Sequence, residues 1–209
     1  MGIGGGGNAF PFSPGSYAAG GEYQQIYSSQ AFGGAVTLTS IAFASSLVFQ
    51  PHAAAINYDV TLRLSNTTAS TTAPSTNFAA NKGANFATVF SGHLTANVQN
   101  NDVFDLIFPI TPFLYNPSQG NLLLDVVMNS ATPGSVTDAI FLGASSPSFP
   151  PLIARVFQSF GTGPAFTDNL GLFTGFGTAE IPEPSTWLLL GSGLAGLVVC
   201  RRYIRLGRS

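Results

Sequence analysis

Apolar and polar side chains alternate strictly in parts of this sequence, and this alternation narrows the choice of fold more than any other pattern in it. The stretch YDVTLRLS shows it most clearly. Its apolar positions are Tyr58, Val60, Leu62 and Leu64, and its polar positions are Asp59, Thr61, Arg63 and Ser65. Successive side chains of a β-strand point to opposite faces, so this stretch predicts a strand with one buried face.

Several further stretches predict strands. NLLLDVVM places Leu122, Leu124, Val126 and Met128 on one face, and VFDLIFPI places Phe104, Leu106, Phe108 and Ile110 on one face. AVTLTSIAF alternates at Val36 and Leu38 and then changes phase at Ile41 and Phe43, which predicts a β-bulge. Weaker patterns predict strands at residues 23–28, 88–94, 153–157 and 170–178.

These strands predict an all-β fold. Before Trp187 no stretch shows a convincing helical period, and turn-rich segments such as YNPSQGN separate the strands. About eight short strands within residues 21–179 favour a single antiparallel β-sandwich over that range. We expect this sandwich to be a jelly roll. The glycine-rich residues 1–20 predict a flexible leader. We expect no second domain within the body.

Composition excludes several classes of function. Charged residues make up 8% of the chain, and only Arg63, Lys82 and Arg155 are basic before residue 200, so nucleic acid is not expected as a partner. Cys200 is the single cysteine, which excludes an internal disulfide and a cysteine zinc site. We expect no cofactor and no metal.

The first ten residues, MGIGGGGNAF, lack the features of a targeting segment. They contain neither a charged region nor an apolar run, so no export signal is visible in the sequence. The spacing of Gly2, Gly4 and Gly7 fits a dinucleotide-binding pattern only by accident, because no strand precedes it.

The C-terminal stretch combines three ordered features. Two prolines flank a glutamate, an apolar run follows, and arginines end the chain. The run from 187 to 200 predicts a transmembrane helix, although 14 residues span roughly 21 Å against roughly 30 Å for a bilayer core. Its apolar residues include Trp187, Leu188, Leu189, Leu190, Leu194, Leu197, Val198 and Val199, and the basic cluster, expected to be cytoplasmic, is Arg201, Arg202, Arg205 and Arg208.

This tail resembles the PEP-CTERM sorting signal of Gram-negative, exopolysaccharide-producing bacteria. The motif residues are Pro182, Glu183, Pro184, Ser185 and Thr186, and residues 180–209 form the whole signal. The resemblance implies export, a membrane anchor on the periplasmic side, and the membrane-embedded transpeptidase exosortase as a partner. Exosortase would then remove the tail and release the protein to the cell surface or beyond. The two prolines hold Glu183 in an extended segment, which suits a processing site.

Catalytic groups are scarce in the body. His52 and His93 are its only histidines, and neither lies in a recognisable motif. Asp102 and Asp105 are three residues apart, so a strand would point them to opposite faces and they make a poor acid–base pair. We therefore predict no catalytic residue and no enzyme activity.

These observations predict a structural protein of the cell surface or extracellular matrix. The alternative is a carbohydrate-binding jelly-roll module with exopolysaccharide as its ligand, and a hydrolase is less favoured. Stacking on sugars would use exposed aromatic side chains, for which the candidates are Tyr17, Tyr23, Tyr27, Phe78, Phe86 and Phe113. An aromatic row on an open sheet face would favour the module, and aromatic residues confined to the core would favour the structural protein.

Overall fold

A computed structural model gives the fold of the body. It describes residues 7–8, 10–13, 21–46, 54–99, 103–133, 141–145, 150–158 and 163–179. The chain divides into two units, Met1–Ala179 and Glu180–Ser209. All described residues belong to the first unit.

The described residues form β-strands joined by turns, with three short 3₁₀ segments at Ser29–Ala31, Phe78–Asn81 and Pro117–Gln119. The strands are β1 (Gly7–Asn8), β2 (Gly21–Tyr27), β3 (Val36–Ala44), β4 (Ala54–Thr67), β5 (Ala87–Val98), β6 (Phe104–Tyr115), β7 (Asn121–Pro133), β8 (Phe141–Ser145), β9 (Ile153–Gln158), β10 (Ala165–Asp168), β11 (Leu170–Leu172) and β12 (Thr174–Ala179). The prediction of an all-β body is confirmed.

The strands form antiparallel sheets. One has six strands in the order β10-β9-β2-β7-β4-β5, and two have three strands, β12-β3-β6 and β1-β8-β11. A single core cluster takes side chains from all three sheets, among them Leu62, Phe108 and Phe141. This arrangement is consistent with a β-sandwich.

Four of the strand pairs are nested along the sequence. β1 pairs with β8, β2 with β7, β3 with β6 and β4 with β5, so each pair encloses the next. The later strands extend this frame, because β9 pairs with β2, β11 with β8 and β12 with β3.

The alternation in β4 and β7 is confirmed by burial. The side chains predicted to face inward are fully buried, namely Tyr58, Val60, Leu62, Leu64, Leu122, Leu124, Val126 and Met128. The predicted bulge in β3 is also confirmed: the pairing with β6 shifts between Leu38 and Ser40, so that Leu38, Ile41 and Phe43 all reach the core.

The prediction for Phe104 is wrong. Its side chain is 40% exposed, whereas Leu106, two residues on, is fully buried. A second shift in the pairing of β3 with β6, between Phe43 and Ala44, breaks the alternation at this end of β6. Phe104 stacks instead on Phe173, with ring centroids 5.4 Å apart.

The predicted strand at 170–178 is interrupted. It is found as β11 and β12, with Phe173 between them. The interruption separates two pairings, because β11 lies beside β8 and β12 lies beside β3.

Part of the predicted leader belongs to the fold, which corrects the expectation of a flexible segment over residues 1–20. Phe12 is fully buried in the core cluster, and its ring centroid lies 4.6 Å from that of Phe43. The Tyr58 hydroxyl donates a hydrogen bond of 3.0 Å to the Phe12 carbonyl oxygen. Phe10 and Phe12 stand in a short stretch of proline, serine and glycine that shows no period, so this packing could not be predicted.

Within the described part of the chain, no helix is long and apolar enough to cross a membrane. The predicted transmembrane helix at 187–200 lies outside the described residues.

Candidate functional site

The residues predicted to form the sorting signal lie outside the described residues, from Pro182 through Arg208. The site that the structure does describe is the outer face of the six-stranded sheet, together with the loop that covers part of it. This loop joins β4 to β5 and comprises residues 68–86; it is called the β4–β5 loop below.

Polar side chains pair across β4 and β5 on the outer face. The Thr95 hydroxyl donates to Asn57 Oδ1 over 2.7 Å, and the hydroxyls of Thr61 and Ser91 lie 3.1 Å apart. Between these two pairs, His93 faces Asp59. Alternation places all these groups opposite the core, so they form a row of hydrogen-bonding side chains, which we call the polar row.

The polar row contains an aspartate–histidine pair but does not build a catalytic triad. His93 Nδ1 lies 3.0 Å from Asp59 Oδ1, and the Ser130 hydroxyl donates to Asp59 Oδ2 over 2.7 Å. The hydrogen bonds from Ser130 and His93 lower the pKa of Asp59. A triad requires the serine to donate to the histidine, whereas Ser130 bonds to the carboxylate.

The other predicted titratable candidates do not join this pair. His52 and Asp102 lie outside the described residues. Asp105 Oδ2 accepts hydrogen bonds of 2.7 Å from the Ser45 hydroxyl and from the Gln99 amide, which ties the end of β3 to the residues that follow β5. No three His, Cys, Asp or Glu side chains of the described ranges converge as metal ligands would.

A buried charged cluster lies under the β4–β5 loop, and sequence reasoning missed it. Asp125 of β7 is fully buried and accepts hydrogen bonds from Arg63 Nη1 at 3.2 Å and from Gln24 Nε2 at 2.8 Å. Lys82 Nζ lies 2.8 Å from Glu22 Oε1 and 3.7 Å from Asp125 Oδ2. A single acid within the apolar run LLLDVV was the available signal, because a buried charge needs a partner.

The two carboxyls of this cluster titrate in opposite directions. Burial and a hydrogen bond with Glu22 raise the pKa of Asp125 to about 7. Burial also opposes ionisation of Glu22, but hydrogen bonds with Asp125 and Lys82 outweigh it and lower the pKa of Glu22. The two carboxyls therefore titrate as a coupled pair, in which Asp125 takes up a proton at a higher pH than Glu22 does.

Amide side chains fasten the β4–β5 loop to the sheet. Gln24 Nε2 donates to the Phe78 carbonyl over 3.0 Å, and Asn81 Nδ2 donates to Gln24 Oε1 over 2.9 Å. The Thr67 hydroxyl donates to the Asn81 carbonyl over 2.6 Å. The 3₁₀ segment Phe78–Asn81 is thereby held over β2 and the end of β4.

An open depression of about 410 Å³ lies at the edge of this loop, lined by residues 66–68, 82–85 and Gln119. We call it the loop depression. A second depression, of about 320 Å³, is lined by residues 71–72, Pro74, Pro151 and residues 167–169. Both belong to the same end of the sheet, where the β4–β5 loop meets other connections.

The aromatic candidates for sugar stacking are mostly buried. Tyr23 and Tyr27 are 0% and 3% exposed and Phe113 is 8% exposed, so the prediction that these three are accessible is wrong. Phe78 and Phe86 are half-buried, and the ammonium of Lys82 lies 4.9 Å from the centroid of the Phe86 ring. Tyr17 lies outside the described residues.

Comparison with known proteins identifies the C-terminal segment. Residues 180–202 match the PEP-CTERM protein-sorting motif. The match begins directly after β12 and includes Pro182-Glu183-Pro184, the apolar run and the first arginines. No curated protein and no solved structure matches the chain.

The PEP-CTERM motif indicates which enzyme processes the chain and where the chain is delivered. It implies export, exosortase as the enzyme that processes the tail, and delivery toward the cell surface. The comparison covers the sorting motif alone, so the role of the β-sheet body must be argued from its own geometry.

Proposed function

We propose that the β-sheet body of this exosortase-targeted surface protein is a non-enzymatic structural component of the extracellular matrix, in a bacterium that makes exopolysaccharide. The PEP-CTERM motif supports the export and the processing. The observation that carries the structural role is how polar side chains are used: among the described residues, many of them bond to the backbone or to other side chains of the body.

Two features support a stable body, and a third supports the absence of catalysis. Asp125 and Arg155, which are buried, both have charged partners, and the Arg155 guanidinium holds Asp168 through two bonds of 2.8 Å. The hydroxyl and amide groups of the polar row pair across strands. The aspartate–histidine pair of that row lacks a serine bonded to the histidine, so it offers no activated nucleophile.

The nested strand pairs support a jelly-roll topology. A jelly roll is a long antiparallel hairpin rolled into two sheets, and β1–β8, β2–β7, β3–β6 and β4–β5 have the corresponding order. Such closed sandwiches are common in exported and surface proteins, which agrees with the sorting motif.

Processing is the first test of this proposal. We propose that residues 187–200 form a transmembrane helix and that Pro182-Glu183-Pro184 is read by exosortase. When the chain carries an added signal peptide in an exosortase-bearing host, its mass should decrease by the mass of the C-terminal segment. Glu183→Ala should block this loss and leave the chain in the membrane fraction, whereas Glu180→Ala, three residues earlier, should be processed normally. Equal processing of the Glu183 variant and the wild type would contradict the proposed motif.

Absence of catalysis is the second test. The purified chain should show no turnover in broad esterase, glycosidase and protease screens, because the described residues assemble no nucleophile and base. Turnover that disappears in a His93→Ala or His52→Ala variant would overturn the non-enzymatic proposal. Turnover that survives both variants and stays with the chain through further purification would also overturn it, because glycosidases and aspartic proteases act through carboxylates.

A carbohydrate-binding module is the second candidate, and the loop depression favours it. This surface offers amides and hydroxyls, the groups that bond to sugars. The burial of Tyr23, Tyr27 and Phe113 argues against a broad aromatic platform, so binding would depend on hydrogen bonds.

A further inference from the structure

We propose that the loop depression binds a neutral sugar unit of a polysaccharide. This inference rests on the second candidate function above and gives it a location. The chemistry of the lining, the charge balance at Lys82 and the rigidity of the walls each support it.

Most side chains of the lining are polar and uncharged, and Lys82 is the one charged side chain among them. Amide and hydroxyl side chains come from Asn66, Thr67, Thr68, Asn85 and Gln119, and Ala84 is the single apolar side chain among the lining residues. Of these groups, Thr68, Asn85 and Gln119 are exposed and can present hydrogen-bonding atoms to a ligand. Such hydrogen-bonding groups suit a ligand rich in hydroxyl groups.

The charge at Lys82 is already compensated. Its ammonium lies 2.8 Å from a Glu22 oxygen and 3.7 Å from an Asp125 oxygen on the sheet below. An anionic ligand would therefore meet a cation whose charge the Glu22 carboxylate already balances. The lining consequently favours an uncharged sugar over a uronic acid or a phosphate.

Hydrogen bonds fix the walls before any ligand arrives. Asn66 Nδ2 donates to the Asn116 carbonyl over 2.7 Å, and Asn85 Nδ2 donates to Asn66 Oδ1 over 3.1 Å. The backbone N–H of Asn66 donates a second hydrogen bond, of 2.8 Å, to Asn85 Oδ1. These bonds join the end of β4, the β4–β5 loop and the connection before β7, so little conformational entropy is lost on binding.

Two glycines bring the walls into close contact. A Cβ at Gly83 would clash with the Asn66 carbonyl oxygen, and a Cβ at Gly120 would lie 2.5 Å from the Thr67 carbonyl oxygen. Gly120 also has a φ of +122°, which L side chains rarely adopt. The backbone can therefore approach this closely only because both positions lack a side chain.

The second depression provides an internal control. It is also lined by threonines, but it includes the carboxylate of Asp168, both oxygens of which are bonded to Arg155. Thr68 lines the loop depression and Thr72 lines the second one, and both are exposed threonines of the β4–β5 loop. The two side chains thus reach different depressions, and the Thr72 hydroxyl also lies 2.7 Å from the Ser70 hydroxyl.

The experiment is calorimetric titration of the purified full chain with neutral hexasaccharides: cellohexaose, maltohexaose, mannohexaose and xylohexaose. Hexagalacturonate serves as the anionic probe of equal length. We expect at least one neutral probe to bind, with an affinity that changes less than about threefold between low salt and 0.5 M salt because exposed charges contribute little. The anionic probe should bind more weakly than the best neutral one.

Variants then locate the site. The double variant Thr68→Ala/Gln119→Ala should lower the affinity at least about tenfold, because it removes two exposed hydrogen-bonding groups. Thr72→Ala should change the affinity less than about twofold. Equal circular dichroism spectra and urea midpoints would show that all variants remain folded.

Three results would overturn the proposal: no binding of any neutral probe, binding that the double variant leaves unchanged, or preferential binding of the anionic probe. The first result would also remove the carbohydrate-binding candidate, whereas the second would keep that candidate and move the site elsewhere. None of the three would affect the processing assay or the screens for turnover, so failure of this inference is distinguishable from failure of the proposed sorting and of the non-enzymatic proposal.

Discussion

Leu62 and Thr61 are neighbours in β4, yet they face opposite sides of the sheet. Leu62 is fully buried, as is Leu124 in β7, and Thr61 shares a hydrogen bond with Ser91 on the outer face. Leu62→Ala or Leu124→Ala should each lower the free energy of unfolding by roughly 2–5 kcal/mol, because each leaves a cavity. Thr61→Ala should stay within roughly 0.5 kcal/mol. Urea denaturation checks all three, and a larger loss at Thr61 than at Leu62 would show that the faces are misassigned.

Asp125 should make the stability of the body depend on pH. Its pKa is about 7 in the fold against 3.8 for an ordinary aspartate, so the folded chain keeps a proton that the unfolded chain releases between these values. Stability contributed by this proton is present at low pH and is lost as the pH rises through 7. The urea midpoint of the wild type should therefore decrease from pH 5 to pH 7.

Substitution tests the source of this slope. Asp125→Asn removes the titrating group and should flatten the curve between pH 5 and pH 7. Asp168→Asn, which alters the separate pair with Arg155, should keep the wild-type slope. A wild-type midpoint that rises over the same range would show that Asp125 is ionised throughout.

At the level of elements, the segment before β2 is expected to behave as part of the core. Phe12 packs against aromatic rings from β3, β4, β6 and β8. Phe12→Ala should lower the free energy of unfolding by roughly 3–5 kcal/mol. Phe166→Ala provides the control. The Phe166 side chain is 49% exposed, so this variant should lose much less free energy of unfolding. Equal losses in the two variants would mean that Phe12 is not buried in solution.

Local sequence patterns predicted the strands, but they could not predict which loops pack against the outer faces of those strands. Alternation in β4 and β7 and the phase change in β3 depend on neighbouring residues, so the sequence alone revealed them. Ser65 follows the polar side of that alternation but is fully buried, because its hydroxyl accepts a hydrogen bond of 3.2 Å from the Gly83 amide of the β4–β5 loop. No periodicity encodes a contact of this kind.

The charged cluster and the loop depression were missed for the same reason. Asp125 meets Arg63 and Lys82 only after β4, β7 and the β4–β5 loop have come together, and only the unusual acid in an apolar strand hinted at it. Conversely, the sorting motif was recognisable because its features follow one another along the chain. Motifs whose residues follow one another along the chain can therefore be recognised in the sequence. Sites whose residues meet only through strand pairing cannot.

At the scale of the whole molecule, the body should hold together without metals or crosslinks. Cys200, the one cysteine, lies outside the body, and the described residues contain no cluster of metal ligands. Its melting temperature should therefore not change when EDTA or dithiothreitol is added. A drop of several degrees with EDTA would reveal a bound cation and contradict this expectation.

The position of β12 also sets an order of events during secretion. Ala179, its final residue, pairs with Thr37 in β3, and the sorting motif starts at the next position. A chain that enters the periplasm N-terminus first delivers β12 after every other described strand, so one edge of β3 stays bare until translocation is nearly complete. Assembly of this sheet and arrival of the sorting motif should consequently coincide. A cut beyond Ala179 then detaches the body after its sheets have formed, and it removes none of the described strands.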